Sequence, residues 1–293
     1  MLRMLLVFLG LMCATTASAA PPLAPALTLT VYNPGARSIF PVSSVIIAGR
    51  HDAILVDAQF QKNDAEAVVK LIRASGKQLM TVYISHSDPD YYFGLDVIHA
   101  AFPKARIVAT APTVAAITQL AQRKLAYWGP FLRSNSPQDL ILPEVLTGDH
   151  LTLDDQDIDI VGLDGPTPAR TFVWIPSLRT VVGGAVVFSG THVWVADTPT
   201  VPSRADWQAT LKTLLGLHPT RVVPGHFLGA EPAGISAVRF TGDYLTAFDE
   251  EALKAAAADA LIAAMERRYP GLPDSEWLML GAKVVKGDMR WPQ

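Results

Sequence analysis

Residues 81–95 read Thr-Val-Tyr-Ile-Ser-His-Ser-Asp-Pro-Asp-Tyr-Tyr-Phe-Gly-Leu. The first five are mostly β-branched or aromatic and end on a serine, the pattern of a short buried strand. His86, Asp88 and Asp90 then alternate, and Pro89 falls between the two carboxylates. Proline cannot donate to a ladder, so the strand ends and a loop begins. Gly94 opens the apolar run Leu95, Val97, Ile98, the start of a helix. A histidine and two carboxylates between a strand end and a helix start occupy the place where α/β proteins put metal or substrate chemistry. The plainer alternative is a polar loop whose aspartates cap the following helix.

On either side the pattern alternates strands and helices. Strands are expected at 29–32, 45–48 and 53–56, the last two joined by a turn at 49–52. A helix follows, with Asn63 as its cap, Glu66 completing a capping box and Gly76 as its stop. After the central loop come a helix at 95–101 and a strand at 106–109. The segment 112–146 reads as an insertion over the site: a helix at 112–128, a break at Trp128-Gly129-Pro130-Phe131, then a Ser/Asn/Pro loop. Strands are expected at 151–153, 157–163, 170–175 and 180–188, then a helix capped by Ser203 and a strand at 221–223. The Ala-rich 242–268 reads as helical, with another short helix at 275–285. Two strand sets with helices between them pack best as two mixed sheets face to face, helices outside.

The 86–91 spacing resembles the metallo-β-lactamase superfamily, whose His-x-His-x-Asp-His loop binds one or two metal ions. Here His86 and Asp90 match, while Asp88 and Tyr91 replace histidines. The other motifs can be placed too. Asp57 in Leu55-Val56-Asp57-Ala58 matches the first. Gly165-Pro166-Thr167-Pro168 holds the place of a Gly-His-Thr-Pro segment, with Pro166 for histidine. Gly184-Ala185 holds the place of Gly-Asp, with Ala185 for the metal-bridging carboxylate. Pro224-Gly225-His226 matches fully. The resemblance implies an α/β four-layer αββα sandwich over residues 28–230, after a lead-in at 20–27 and before a C-terminal helical extension at 231–293.

It also implies a reduced metal site, because Pro166 and Ala185 offer no side-chain donor. His86, Asp88, Asp90 and His226 remain for one divalent ion, with Asp57 as support behind them. Such a carboxylate-rich set favours harder ions such as Mn²⁺, Mg²⁺ or Fe²⁺, and Zn²⁺ also accepts His and Asp. Asp164, His192 and Asp197 are further acids and imidazoles near the altered motifs. The implied activity is metal-dependent hydrolysis of an ester, amide or lactone. Asp90 would orient the water, Tyr91 would donate to the oxyanion, and Tyr92, Trp128 and Phe131 would line the substrate cleft. The alternative is an inactive member kept for binding.

Residues 1–19 have the order of an export signal: Arg3, an apolar run at 5–12, then Ala17-Ser18-Ala19. This predicts a periplasmic or secreted protein. Cys13, the single cysteine, lies in that segment, so the mature chain has no thiol chemistry. Without Arg3, 23 of the 24 basic residues remain against 27 acidic, a net charge of −4. That balance argues against nucleic-acid or anionic-membrane partners and leaves a small-molecule substrate. Nothing in the sequence sets an oligomeric state.

Overall fold

A computed structural model describes residues 27–167 and 170–291. The expected signal and most of the lead-in lie outside them. The first sheet runs in the order of the sequence: β1 (Thr28–Tyr32), β2 (Ser44–Ala48), β3 (Asp52–Val56), β4 (Gln78–Ile84), β5 (Arg106–Ala109) and β6 (Glu144–Val145). The first two pairings are antiparallel and the last three parallel. Its helices are α1 (Lys62–Ala74), α2 (Pro89–Tyr92), α3 (Leu95–Ala101) and α4 (Ala111–Leu132). The second sheet holds β7 (His150–Leu153), β8 (Gln156–Val161), β9 (Phe172–Ile175), β10 (Thr180–Val182) and β12 (Arg221–Val222), with β12 parallel beside β10. A small parallel pair, β11 (Phe188–Ser189) and β13 (His226–Phe227), stands apart. Helices α5 (Val201–Gly216), α6 (Ser236–Lys254), α7 (Ala258–Arg268) and α8 (Ser275–Lys286) complete the chain.

The two-residue period of the strands makes the layers. Val45, Ile47, Ile54, Val56 and Tyr83 face inward and meet Leu151, Ile158, Ile160, Val173 and Val182 in one buried cluster between the sheets. The alternate residues Ile46, Leu55, Val82 and Ile84 face outward, in one core with Val68, Ile72 and Leu95. Phe172, Trp174 and Val181 belong to the same outer core as Trp207, Leu211 and Leu214 of α5. The result is the expected αββα sandwich.

Several boundaries differ from the sequence reading. Helix α1 begins after Gln61, not at Asn63; the Asn63 side chain instead accepts from the Gln61 amide at 3.0 Å. Gly76 is the stop, at φ +67. Helix α4 runs through Pro130, and its aromatic residues pack on one another through this turn: Trp128 lies 4.9 Å from Tyr127 and 5.7 Å from Phe131 between ring centres. Thr200, not Ser203, caps α5, and Ser203 closes the capping box. The helical stretch expected at 242–268 starts earlier, at Ser236, and divides into α6 and α7; Lys286 of α8 donates to the carbonyls of Ala252 and Ala255 at the break. The strand expected at 180–188 stops at Gly183-Gly184, both at positive φ. A Cβ on Gly184 would lie 2.3 Å from the Thr171 carbonyl oxygen, so only glycine lets the chain pass there.

Gly225 marks a second close crossing. A Cβ there would come within 2.1 Å of the Gly184 carbonyl oxygen and 2.9 Å of the Tyr91 hydroxyl. Gly225→Ala is therefore expected to cost about 1–3 kcal/mol through overpacking. Urea unfolding measures this, and an unchanged midpoint would mean that the two loops do not touch.

Candidate functional site

The central loop is anchored from behind. Asp57 ends β3 at φ +65 and takes two hydrogen bonds from Ser85: the backbone N–H at 2.8 Å and the hydroxyl at 2.7 Å to Oδ2. The Ser85 hydroxyl oxygen in turn accepts from the Gly184 N–H at 2.7 Å. Burial pushes the Asp57 carboxyl up to about 7. Asp57 does not line the cavity and holds the loop through Ser85.

In front of Ser85 lies a cavity of about 200 Å³. His86, Asp88, Asp90 and His226 all line it, together with Asp197 and Trp128. Asp88 precedes α2 but makes no side-chain cap bond, so helix capping does not account for its carboxylate. Its Oδ1 lies 2.6 Å from Nζ of Lys124, a residue of α4, and its Oδ2 is 3.4 Å from His86 Nδ1. Burial raises the Asp88 carboxyl, but Lys124 overcomes this and holds it well below the usual carboxylate range. Burial lowers the Lys124 ammonium, and Asp88 more than offsets it. His86, by contrast, is pushed down to about 3 by burial and is neutral at ordinary pH. His226 Nε2 is 3.1 Å from Asp90 Oδ2, and its ring stacks on Phe188 with centres 5.0 Å apart. Burial raises the Asp90 carboxyl.

His226 reaches Asp90 without β12 lying beside β4. Strand β12 joins β10 in the second sheet, and Pro224-Gly225 carries the chain across. Tyr91 packs beneath both imidazoles, with ring centres 5.3 Å from His86 and 5.7 Å from His226. Its hydroxyl is buried, has no hydrogen-bond partner among the described residues, and does not open on the cavity. Tyr92 is likewise buried away from the cavity, and Phe131 is 59% exposed outside it. Asp164 and Pro166 are exposed and off the cavity wall. His192 turns away, its Nδ1 2.8 Å from the Tyr244 hydroxyl of α6.

Arg170 stands where Pro166 was expected. Its backbone bridges that of His86, its Nη1 donates to the Ala185 carbonyl at 3.2 Å, and its guanidinium lies 4.6 Å over Trp207. The far wall comes from the C-terminal part of the chain: Trp277 of α8 and Trp291, with Trp194 between them in the aromatic stack. Both indoles beside Asp197 donate to it, Trp194 to Oδ2 at 2.7 Å and Trp291 to Oδ1 at 2.9 Å.

The family model of the metallo-beta-lactamase superfamily matches residues 37–226. The chain belongs to the metallo-β-lactamase superfamily. Solved structures agree in fold. DIM-1 metallo-beta-lactamase aligns over 76% of this chain and 98% of its own, at 19% identity and a TM-score of 0.54. VMB-1 aligns over 76% and 96%, at 16% identity and 0.56. A metallo-beta-lactamase from Pontibacter korlensis aligns over 75% and 99%, at 16% identity and 0.52. No curated protein matches the chain.

Members of this superfamily bind divalent metals such as zinc, but the donors here do not fit one. Among the described residues no three His, Cys, Asp or Glu side chains group as ligands. Asp88 is committed to Lys124 and Asp90 to His226. Where the resemblance placed two further donors, the cavity wall holds Arg170 and Ala185, and neither side chain can ligate a cation. Lys124 and Arg170 add two positive charges to the cavity wall, and a dication beside them would meet repulsion in a medium that screens it poorly.

Asp197 is the wall group poised to titrate. Burial, then repulsion from Asp88, raises it to about 7. A folded value above the unfolded one of 3.8 means that its stabilising contribution is full below that pH and is lost as the pH rises through 7. Tryptophan emission is expected to change with a midpoint near pH 7, as the two indole donors meet a neutral or ionised carboxyl. The change should vanish in Asp197→Asn and persist in Asp57→Asn.

Proposed function

We propose that this chain is an exported hydrolase of the superfamily that acts on a small ester, amide or lactone, with Lys124 and Arg170 supplying the positive charge that metal ions supply elsewhere in the superfamily. The observation that carries this is the Lys124 ammonium, 2.6 Å from Asp88 with 14% of its side chain exposed, on a cavity wall shared with Arg170. Asp90, held by His226, receives the proton of the attacking water; its raised affinity for a proton suits it to that role. The carbonyl oxygen faces the two cations. As negative charge grows on that oxygen, fixed cations inside an aromatic, water-poor wall stabilise it strongly and need little rearrangement. Arg170 takes the oxyanion role first expected of Tyr91. Export rests on residues 1–19. No helix of the described residues is long and apolar enough to cross a membrane.

The competing reading is a binding protein without turnover, and Arg170 and Ala185 in place of the expected donors favour it. Metal content and turnover separate the two. The purified protein should carry substoichiometric metal and hydrolyse simple aryl esters equally well in EDTA. Asp90→Asn should lower kcat by roughly 10²-fold or more, and Lys124→Met by roughly 10²-fold. Activity that appears only with added Zn²⁺, Mn²⁺ or Fe²⁺ would overturn the cationic reading. No turnover of any ester, amide or lactone would leave the binding protein.

A further inference from the structure

We infer that the occupant of the cavity carries a carboxylate on a flat apolar body, and that the carboxylate seats on Arg170. The inference rests on reading the cavity as a small-molecule site, but not on hydrolysis. It begins with an imbalance between two buried arginines. Arg204 is 1% exposed and has its own anion: Nε bonds Asp249 at 2.6 Å, Nη1 bonds the Thr198 carbonyl at 2.7 Å, and its guanidinium lies 5.4 Å from the centre of the Phe248 ring. Arg170 is 7% exposed, and among the described residues its guanidinium makes a single hydrogen bond, to the Ala185 carbonyl, and no ion pair. A guanidinium has five N–H donors and stays charged in proteins. Asp88 and Asp197 act on it only from beyond ion-pair distance, so a buried charge of this kind is left without a close anion, and one in the cavity would complete its pairing.

The chain's own carboxylates on this wall are engaged. Asp88 belongs to Lys124, Asp90 to His226, and Asp197 to the two indoles. Arg170 therefore faces the cavity with N–H donors that meet no acceptor among the described residues, and its nearby acids are occupied. The planar fork of a guanidinium matches the two oxygens of a carboxylate in one plane. Beyond the charge the wall turns apolar: Ala185, Phe188, Trp277, Trp194 and Phe40. Flat rings stack or sit edge-on against such surfaces. A cavity of about 200 Å³ is smaller than the 300–1,000 Å³ of drug-sized pockets, which limits the body to one or two fused rings. An arylacetate has this shape and charge.

The test is calorimetric titration of the purified protein in EDTA with phenylacetate, indole-3-acetate, phenylacetamide and phenethylammonium. The carboxylates should bind and raise Tm. The amide should bind roughly tenfold more weakly or worse, because it loses the charge-assisted pair. The ammonium should not bind. Arg170→Lys should weaken the carboxylates by roughly tenfold and the amide by clearly less, because only the carboxylate loses a two-pronged charged pair. Ala185→Asp offers a second route that does not remove the guanidinium packed on Trp207. It gives Arg170 an internal carboxylate, so arylacetate binding should be lost while the ligand-free Tm holds or rises. Equal affinity for carboxylate and amide would overturn the inference, as would tighter binding of the ammonium. Binding that needs added metal would also overturn it. Turnover of neutral esters without carboxylate binding would sink this inference and spare the proposed hydrolase. Carboxylate binding without turnover of any ester would do the reverse.

Discussion

The carboxylate of Asp57 holds the front of the molecule together. Three chain segments end within reach of it: β3 in Asp57 itself, β4 in Ser85, and β10 in the Gly183-Gly184 crossing. One side chain receives the Ser85 amide and hydroxyl, and that hydroxyl receives the Gly184 amide. Segments from both sheets are thereby fixed at a single point, and the cavity opens directly above it. His86 follows Ser85, Ala185 follows Gly184, and Gly225 crosses Gly184 too closely to admit a side chain. The knot sets where each wall residue starts.

Much of this was legible in the sequence. The strands and the 95–101 helix carry their periods openly, and β-branched runs leave little choice of face. Helix boundaries were less legible, because caps at Gln61 and Thr200 depend on which neighbouring side chain reaches the backbone first. The gathering of His86, Asp88, Asp90 and His226 followed from motif spacing. The cations did not. Arg170 sits four residues beyond the expected donor, in a segment with no motif of its own. Lys124 did leave a trace: Leu120, Lys124 and Tyr127 repeat at helical spacing on one face of α4, and all three line the cavity. Reading 112–146 as an insertion hid that stripe.

The chemistry of the site follows from how the superfamily's charges have been exchanged. A metal centre gathers carboxylates and imidazoles around an imported dication. Here each carboxylate has a fixed partner from the chain, and His86 is held neutral by burial. In the proposed reading, the electrostatic field that a metal ion would produce comes instead from Lys124 and Arg170, groups that cannot leave, and the polarity presented to a ligand is set at folding.

The stretch that defines the superfamily stops at residue 226, yet Trp277 and Trp291 close the cavity from beyond it. The floor of the chamber and its roof thus lie in different parts of the gene product. Chains that share the floor can carry unrelated tails, and exchanging a tail would recast what fits without altering a single signature residue. Selectivity here is free to diverge at one end of the chain while the knot beneath stays fixed.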